Sequence, residues 1–220
     1  MNRRNDCPVH PYRLPTTLAE DGLDLYMDND TKEKRPRRTD TELDRLAGQL
    51  TILRRVVAAD LPLLQAWDDD PEIIALMGRK YAETDVSDWF RSLNRDRTCR
   101  TWAIDTHDGK LIGELELAHL NWRSGSTELR ICIGDKDYWS HGYGTDALRA
   151  ALRAAFEGLC LDSVYLRVFI TNTRAIRTYE KLGFRRQAIL EPSIRRQDPA
   201  AVLLMNLTRQ RWYMKQAQSA

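Results

Sequence analysis

A chain of 220 residues, 42% of them hydrophobic, closes one good core with a small appendage and is too short for two full domains. Its 34 Lys and Arg against 32 Asp and Glu leave a net charge of +2, too weak a field to draw nucleic acid or a membrane surface, and no run approaches the about 18 apolar residues of a membrane span. Cys7, Cys99, Cys132 and Cys160 form no Cys-x-x-Cys pair; this points to reduced thiols, away from zinc, and, with no leader-like start, to a cytoplasmic protein.

Residues 1–48 read as a loosely ordered N-terminal extension. Pro8, Pro11, Pro15 and Pro36 alternate with the basic cluster Lys32, Lys34, Arg35, Arg37 and Arg38, and apolar periodicity is weak. A solvated linker is favoured over an RNA-binding or acid-binding arm. The Cys7 and His10 spacing is too small a ligand set for a metal. Across its end, Thr41 to Leu50 reads as a short helix through Leu43, Leu46 and Leu50. The main folded unit is set at 49–213 and a tail at 214–220. A strand is expected from Thr51 through Val57, then helices over Leu61 to Trp67, from Pro71, and over Val86 to Leu93. Trp102 to Asp105 and Lys110 to His119, joined by Asp108-Gly109, read as a hairpin.

From Glu128 to Ile133, Leu129, Ile131 and Ile133 alternate as on a half-buried strand. Tyr138-Trp139-Ser140-His141-Gly142-Tyr143-Gly144-Thr145 follows, and then Leu148, Leu152 and Phe156 recur at helical spacing up to Gly158. Glycines beside the first turn of a helix let main-chain N–H groups reach an anion, and the helix dipole favours negative charge there. Val164, Leu166, Val168 and Ile170 form a second alternating strand. Asn172 is a natural N-cap for a helix with Ala175, Ile176, Tyr179 and Leu182 on one face, stopped by Gly183 before Phe184.

These two units together resemble the GNAT superfamily of acyl-CoA-dependent N-acetyltransferases. Gly142 and Gly144 match its phosphate-loop glycines, and Trp139 stands where the general pattern has Arg or Gln, as in the branch that acetylates ribosomal-protein N-termini. Asn172, Ala175, Tyr179, Gly183 and Phe184 match a second signature, and the resemblance covers roughly Leu50 to Trp212. It implies an α/β GNAT fold: a mixed, mostly antiparallel central sheet, flanked by helices, with a V-shaped splay between two parallel strands. It implies acetyl-CoA as cosubstrate, no metal, and direct transfer to an amine in a ternary complex.

The reaction removes a proton from an ammonium, whose pKa is about 10.4 in lysine, and delivers one to the departing thiolate. By resemblance, Glu128 is the general base and Tyr179 the general acid. The residues alone leave open a surface or salt-bridged strand carboxylate paired with Arg130 for Glu128 and a core-packed helix aromatic for Tyr179, and Glu114 and Glu116 are weaker base candidates, read as a solvated face. Main-chain N–H groups near Ile131 and Cys132, where the strand is expected to bulge, would meet the oxyanion. The resemblance runs pantetheine beside Ile131, Cys132 and Ile133, sets the diphosphate at His141, Gly142, Tyr143, Gly144 and Thr145, and adds Asn172 and Arg177, or Arg174, as further contacts. The acceptor site is expected at Trp67 to Asp70, Tyr81 to Trp89, His119 to Arg123 and Glu191 to Arg196. Asp68, Asp69 and Asp70 read as a helix start before Pro71. The expected acceptor is a peptide or protein N-terminus or a small amine. Two alternatives stay open: an aminoglycoside 6′-N-acetyltransferase, and a non-catalytic acyl-CoA sensor or scaffold. Homodimerisation stays open, and a nucleic-acid or membrane partner is not expected.

Overall fold

The computed structural model describes residues 43–77, 86–93, 96, 98–192 and 200–218. The expected arm over residues 1–40, Cys7 and His10, the stretch 81–85 and residues 193–196 lie outside the described residues. The strands are β1 (Arg45–Ala47), β2 (Thr51–Arg55), β3 (Arg100–Thr106), β4 (Leu111–Asn121), β5 (Ser126–Ile133), β6 (Ser163–Phe169), β7 (Arg185–Leu190) and β8 (Val202–Thr208). The helices are α1 (Leu61–Asp68), α2 (Pro71–Met77), α3 (Val86–Leu93), α4 (Tyr143–Arg153), α5 (Thr173–Leu182) and α6 (Arg209–Ala217). One eight-stranded sheet runs β1-β2-β3-β4-β5-β6-β8-β7. Every neighbouring pair is antiparallel except β5 with β6.

The alternation of β3 to β5 sorts the sheet into two unlike faces. Trp102, Ile104, Leu115, Leu117 and Leu129 join a core with Leu148, Leu152, Phe156, Ile176 and Trp212 from the helices. The opposite face of β4 and β5 carries Glu114, Glu116, Glu128, Arg130 and Cys132, aligned by the register Glu114↔Cys132, Glu116↔Arg130 and Ala118↔Glu128.

The parallel pair makes the fork. β5 and β6 are in register only from Ser126↔Ser163 to Glu128↔Tyr165, whereas β5 stays paired with β4 as far as Ile133. Beyond Glu128 the edge of β5 that faces β6 has no strand beside it among the described residues. The expected bulge at Ile131 and Cys132 is absent, because pairing with β4 is unbroken there; the irregularity falls between Ala118 and Asn121, where His119 takes φ 53°.

The helix expected over Thr41 to Leu50 is corrected. Arg45–Ala47 is a strand, with Leu46 opposite Leu53, and Leu50, the third member of the supposed apolar stripe, is exposed. Leu43 is buried, and its carbonyl accepts from Trp102 Nε1 at 2.7 Å, so residues 43–47 belong with the sheet and a boundary at 48 cuts a strand pair. At the other end α6 continues to Ala217 with Trp212 buried, so the supposed tail begins inside a helix.

Candidate active site

Gly142 caps α4 with φ 91°, a left-handed conformation that glycine adopts without a Cβ penalty. The first helical bond runs from Asp146 N to Gly142 O. The N–H groups of Tyr143, Gly144 and Thr145 therefore precede any carbonyl the helix can offer them. The turn is tied down from behind: the Asp146 carboxylate accepts from the main-chain N–H of Gln49, Leu50 and Thr51 and from Thr51 Oγ1, all within 2.7–3.0 Å. Burial would raise this carboxyl, but those donors outweigh it and hold it below its usual range. Gly48 makes room, since a Cβ there would sit 2.0 Å from Asp146 Oδ2.

Trp139 donates its indole N–H to Ile133 O at 2.6 Å, bracing the end of β5 against the loop. At the next helix, Asn172 Oδ1 accepts from Ala175 N at 3.1 Å as the expected cap, and its Nδ2 donates to Leu76 O at 3.3 Å, joining α5 to α2. Gly183 closes α5 with φ 102°. Ile176, Tyr179 and Leu182 are buried along one face of α5, while Arg174, Arg177 and Lys181 line the cleft.

That cleft has a volume of about 1110 Å³ and opens over the fork. β4, β5 and β6 floor it, α2 forms one wall, and α5 with the start of α4 forms the other. Of the expected cofactor contacts, Ile131, Cys132, Ile133, Gly142, Gly144, Thr145, Asn172 and Arg177 line it. His141 and Tyr143 do not: His141 is exposed, and the Tyr143 ring packs edge-on against Tyr138 at 4.9 Å. Tyr179 also lines it, packed against Phe184. Burial, with Cys132 nearby adding to it, pushes the Tyr179 phenol well above its usual value, so it stays protonated at neutral pH.

Glu128 is the salt-bridged carboxylate of the two readings, paired with Arg130 and also with Arg167. Arg167 Nε and Nη2 donate to its two oxygens at 2.8 and 3.0 Å, and Arg130 Nη2 adds a bond at 3.0 Å. The side chain is 3% exposed. Burial alone would raise its carboxyl, but the two guanidiniums outweigh that and hold it below its usual range. A carboxylate so clamped is a poor proton acceptor, which argues against Glu128 as the base. Its bidentate pair with Arg167 spans β5 and β6 just where their backbone pairing stops. Arg167 was not singled out from sequence; only its place in the alternation of β6, two residues beyond Tyr165, hinted at it.

Glu114 and Glu116 do not form the solvated face expected of them. They are 7% and 5% exposed and line the cleft. Glu116 accepts from Cys99 Sγ at 2.9 Å and from Thr101 Oγ1 at 3.3 Å. Of the segments expected to build the acceptor site, Trp67 to Asp70 and His119 to Arg123 lie outside the cleft lining, and α2 takes their place. Asp70 caps α2, accepting from Glu72 N and Ile73 N, and pairs with Lys136 at 2.9 Å; the structural reading of the acidic triplet holds for it. Among the described residues no cluster of His, Cys, Asp and Glu is set to hold a metal, and no helix is long and apolar enough to cross a membrane.

A family model for the acetyltransferase (GNAT) domain matches residues 51–185. The chain is 26% identical to spermidine N(1)-acetyltransferase of Vibrio cholerae over 139 residues, 62% of this chain and 79% of that one. It is 28% identical to the Escherichia coli enzyme of the same name over 134 residues, 60% and 71% of the two chains. Human N-alpha-acetyltransferase 30 is 34% identical over 76 residues, 34% of this chain but 20% of the human protein. Among solved structures, the Vibrio cholerae spermidine N-acetyltransferase in complex with CoA and spermine superposes with a TM-score of 0.65 at 22% identity, covering 74% of this chain and 98% of the other.

Proposed function

We propose that this chain, which belongs to the GNAT acetyltransferase domain family and is an acetyl-CoA-dependent N-acetyltransferase, passes the acetyl group to a primary amine of a linear polyamine. The observation that carries this reading is the acidic floor of the cleft. Glu114, Glu116 and Glu128 stand there against Arg130 and Arg167; Arg167 is drawn to Glu128, and Arg130 is shared between Glu128 at 3.0 Å and Glu116 at 3.5 Å, so three carboxylates face two guanidiniums on this floor. Glu114 and Glu116 are two residues apart on one strand face, about 7 Å, a separation suited to neighbouring ammonium groups on a short alkyl chain. The spermidine acetyltransferases among the relatives support the same acceptor.

In this reading acetyl-CoA supplies the thioester, and the chain's own groups do the rest. The loop N–H groups of residues 142–145 hold the diphosphate, and the open edge of β5 at Ile131 to Ile133 receives the pantetheine as an added strand would. Glu114, opposite Cys132 in the register and so on the side where Tyr179 approaches, takes the proton of the attacking ammonium in place of Glu128. Tyr179 gives its phenolic proton to the leaving sulfur. Main-chain N–H groups of β5 face the oxyanion, and Glu128 with Arg167 props the fork.

The match to the human N-terminal acetyltransferase favours a second reading, a peptide N-terminus. A thiol-release assay with acetyl-CoA separates the two: spermidine and spermine are turned over in preference to N-terminal peptides and aminoglycosides. Turnover of peptides alone overturns the polyamine reading, and acetyl-CoA binding without turnover of any amine leaves a sensor or scaffold.

A further inference from the structure

Trp139 brings no charge to the loop, and its N–H is engaged by Ile133 O. Its ring face, however, is occupied by cations. The Arg174 guanidinium carbon lies 4.2 Å from the ring centroid, and Lys136 Nζ lies 5.9 Å from it. The two differ in what else they touch. Lys136 is neutralised by Asp70 at 2.9 Å and Glu72 at 2.8 Å, whereas among the described residues Arg174 has no carboxylate partner. A guanidinium held over an indole by cation–π attraction spends none of its N–H donors on a carboxylate, and its fork of donors matches two phosphate oxygens. Arg174 and Trp139 line the cleft together with Gly142, Gly144 and Thr145.

We propose that Arg174, held over the Trp139 indole, is the side chain that pairs with the CoA diphosphate. It supplies from α5 the positive charge that the phosphate loop itself lacks. Trp139 is then a positioning residue: its bond to Ile133 fixes the ring, and the ring fixes the guanidinium before the ligand arrives, so less side-chain entropy is lost on binding. This rests on the diphosphate lying at residues 142–145.

Calorimetric titration with CoA, 3′-dephospho-CoA and pantetheine tests it. Arg174→Ala should weaken CoA and 3′-dephospho-CoA by the same factor, about tenfold to a hundredfold for a charged hydrogen-bonding partner, and leave pantetheine unchanged. Trp139→Leu should weaken both phosphorylated ligands by less, and adding Arg174→Ala to it should cost less than Arg174→Ala does alone, because the two act as a unit. Unchanged CoA affinity in Arg174→Ala overturns the proposal, as does a loss seen with CoA but not with 3′-dephospho-CoA, which would move the contact to the 3′-phosphate. A folded Gly142→Val variant separates the two layers. If it weakens CoA while Arg174→Ala does not, the loop placement stands and Arg174 falls; if neither weakens it, both fall.

Discussion

The two halves of the cleft are built on opposite electrostatic plans. Toward α5 and the start of α4, Arg174, Arg177 and Lys181 line the wall beside main-chain donors that a helix N-terminus leaves unpaired. Toward β4, Glu114 and Glu116 line a buried floor. The first half suits a polyanion and works largely through backbone, so its side chains can vary; the second suits a cation and works through side chains alone. Between them stand Tyr179 and the ion pair of Glu128 with Arg167, at the point where the proposed reading brings the two substrates together. Charge is thus sorted within one cavity although the chain's net charge is only +2.

The largest expected effects lie at this meeting point. Tyr179→Phe keeps the ring against Phe184 and removes only the proton donor, so kcat should fall by about 10²- to 10⁴-fold with CoA affinity unchanged. Glu114→Gln should lower kcat within the same range of about 10²- to 10⁴-fold if it accepts the ammonium proton. Steady-state kinetics with both substrates varied reads both. A Glu114→Gln enzyme with full turnover would mean that the acidic floor attracts the amine without taking its proton.

Glu128→Gln tests the boundary between the halves. It leaves Arg130 and Arg167 facing a neutral amide, and because both are partly solvated the loss of stability should be about 3 kcal/mol, the low end for breaking a buried pair. Denaturant melts measure it. The pH dependence carries a sign. The folded-state pKa of Glu128 is depressed, so its stabilisation is complete above the ordinary glutamate value of about 4.3 and is lost as pH falls from there through the folded value. The stability curves of wild type and Glu128→Gln should therefore lie apart at neutral pH and converge in acid. Curves that stay parallel would show that the ion pair does not hold the fork.

How far all this was readable from the sequence follows the range of the interactions. The turn from β5 into α4, the Asn172 cap and the Gly183 stop are local, set by residues a few positions apart, and the structure places them where periodicity and capping did. β1 was misread because Leu43 and Leu46 fit a helical stripe as well as a strand, and only pairing with β2 decides between them. β8 was not anticipated, since its position between β6 and β7 depends on partners far away in sequence. Half of the clamp on Glu128 escaped for the same reason: Arg130, two residues away, was legible as its partner, but Arg167 lies 39 residues further along, and a carboxylate's partners across a sheet leave no trace in its own neighbourhood. Glu114 and Glu116 were visible as an alternating acidic pair, but alternation alone does not say which face of a strand is covered.

A smaller effect is expected at the acidic floor. Glu116→Gln should raise KM for spermidine by about tenfold, the worth of a charge-assisted hydrogen bond, with kcat little changed, because Glu116 is placed one pleat away from the register position of Cys132. Varying spermidine at saturating acetyl-CoA measures it. An equal loss with a monoamine acceptor would show that Glu116 does not hold a second ammonium.

The smallest effect separates the two glycines of the loop. A Cβ on Gly144 would meet Ile133 Cγ1 at 3.5 Å, an ordinary contact, and the residue's φ is not positive. Gly144→Ala should therefore leave both melting temperature and CoA affinity near those of the wild type, since the main-chain N–H that serves the ligand is untouched. Gly142→Ala meets only Leu50 Cδ1 at 3.5 Å, so space is not its difficulty; its φ of 91° is, and holding an L-residue there costs about 1–2 kcal/mol. The backbone either takes that strain or relaxes toward negative φ and turns the donors of residues 143–145 away from the cleft. Thermal melts and CoA titrations of the two variants tell these responses apart: lowered stability with unchanged affinity means strain is absorbed, and lowered affinity with nearly unchanged stability means the loop has turned. If Gly144→Ala weakened CoA as much as Gly142→Ala, the basic half would be reading the ligand through close contact at Gly144, and the division between a backbone-built half and a side-chain-built half would have to be redrawn.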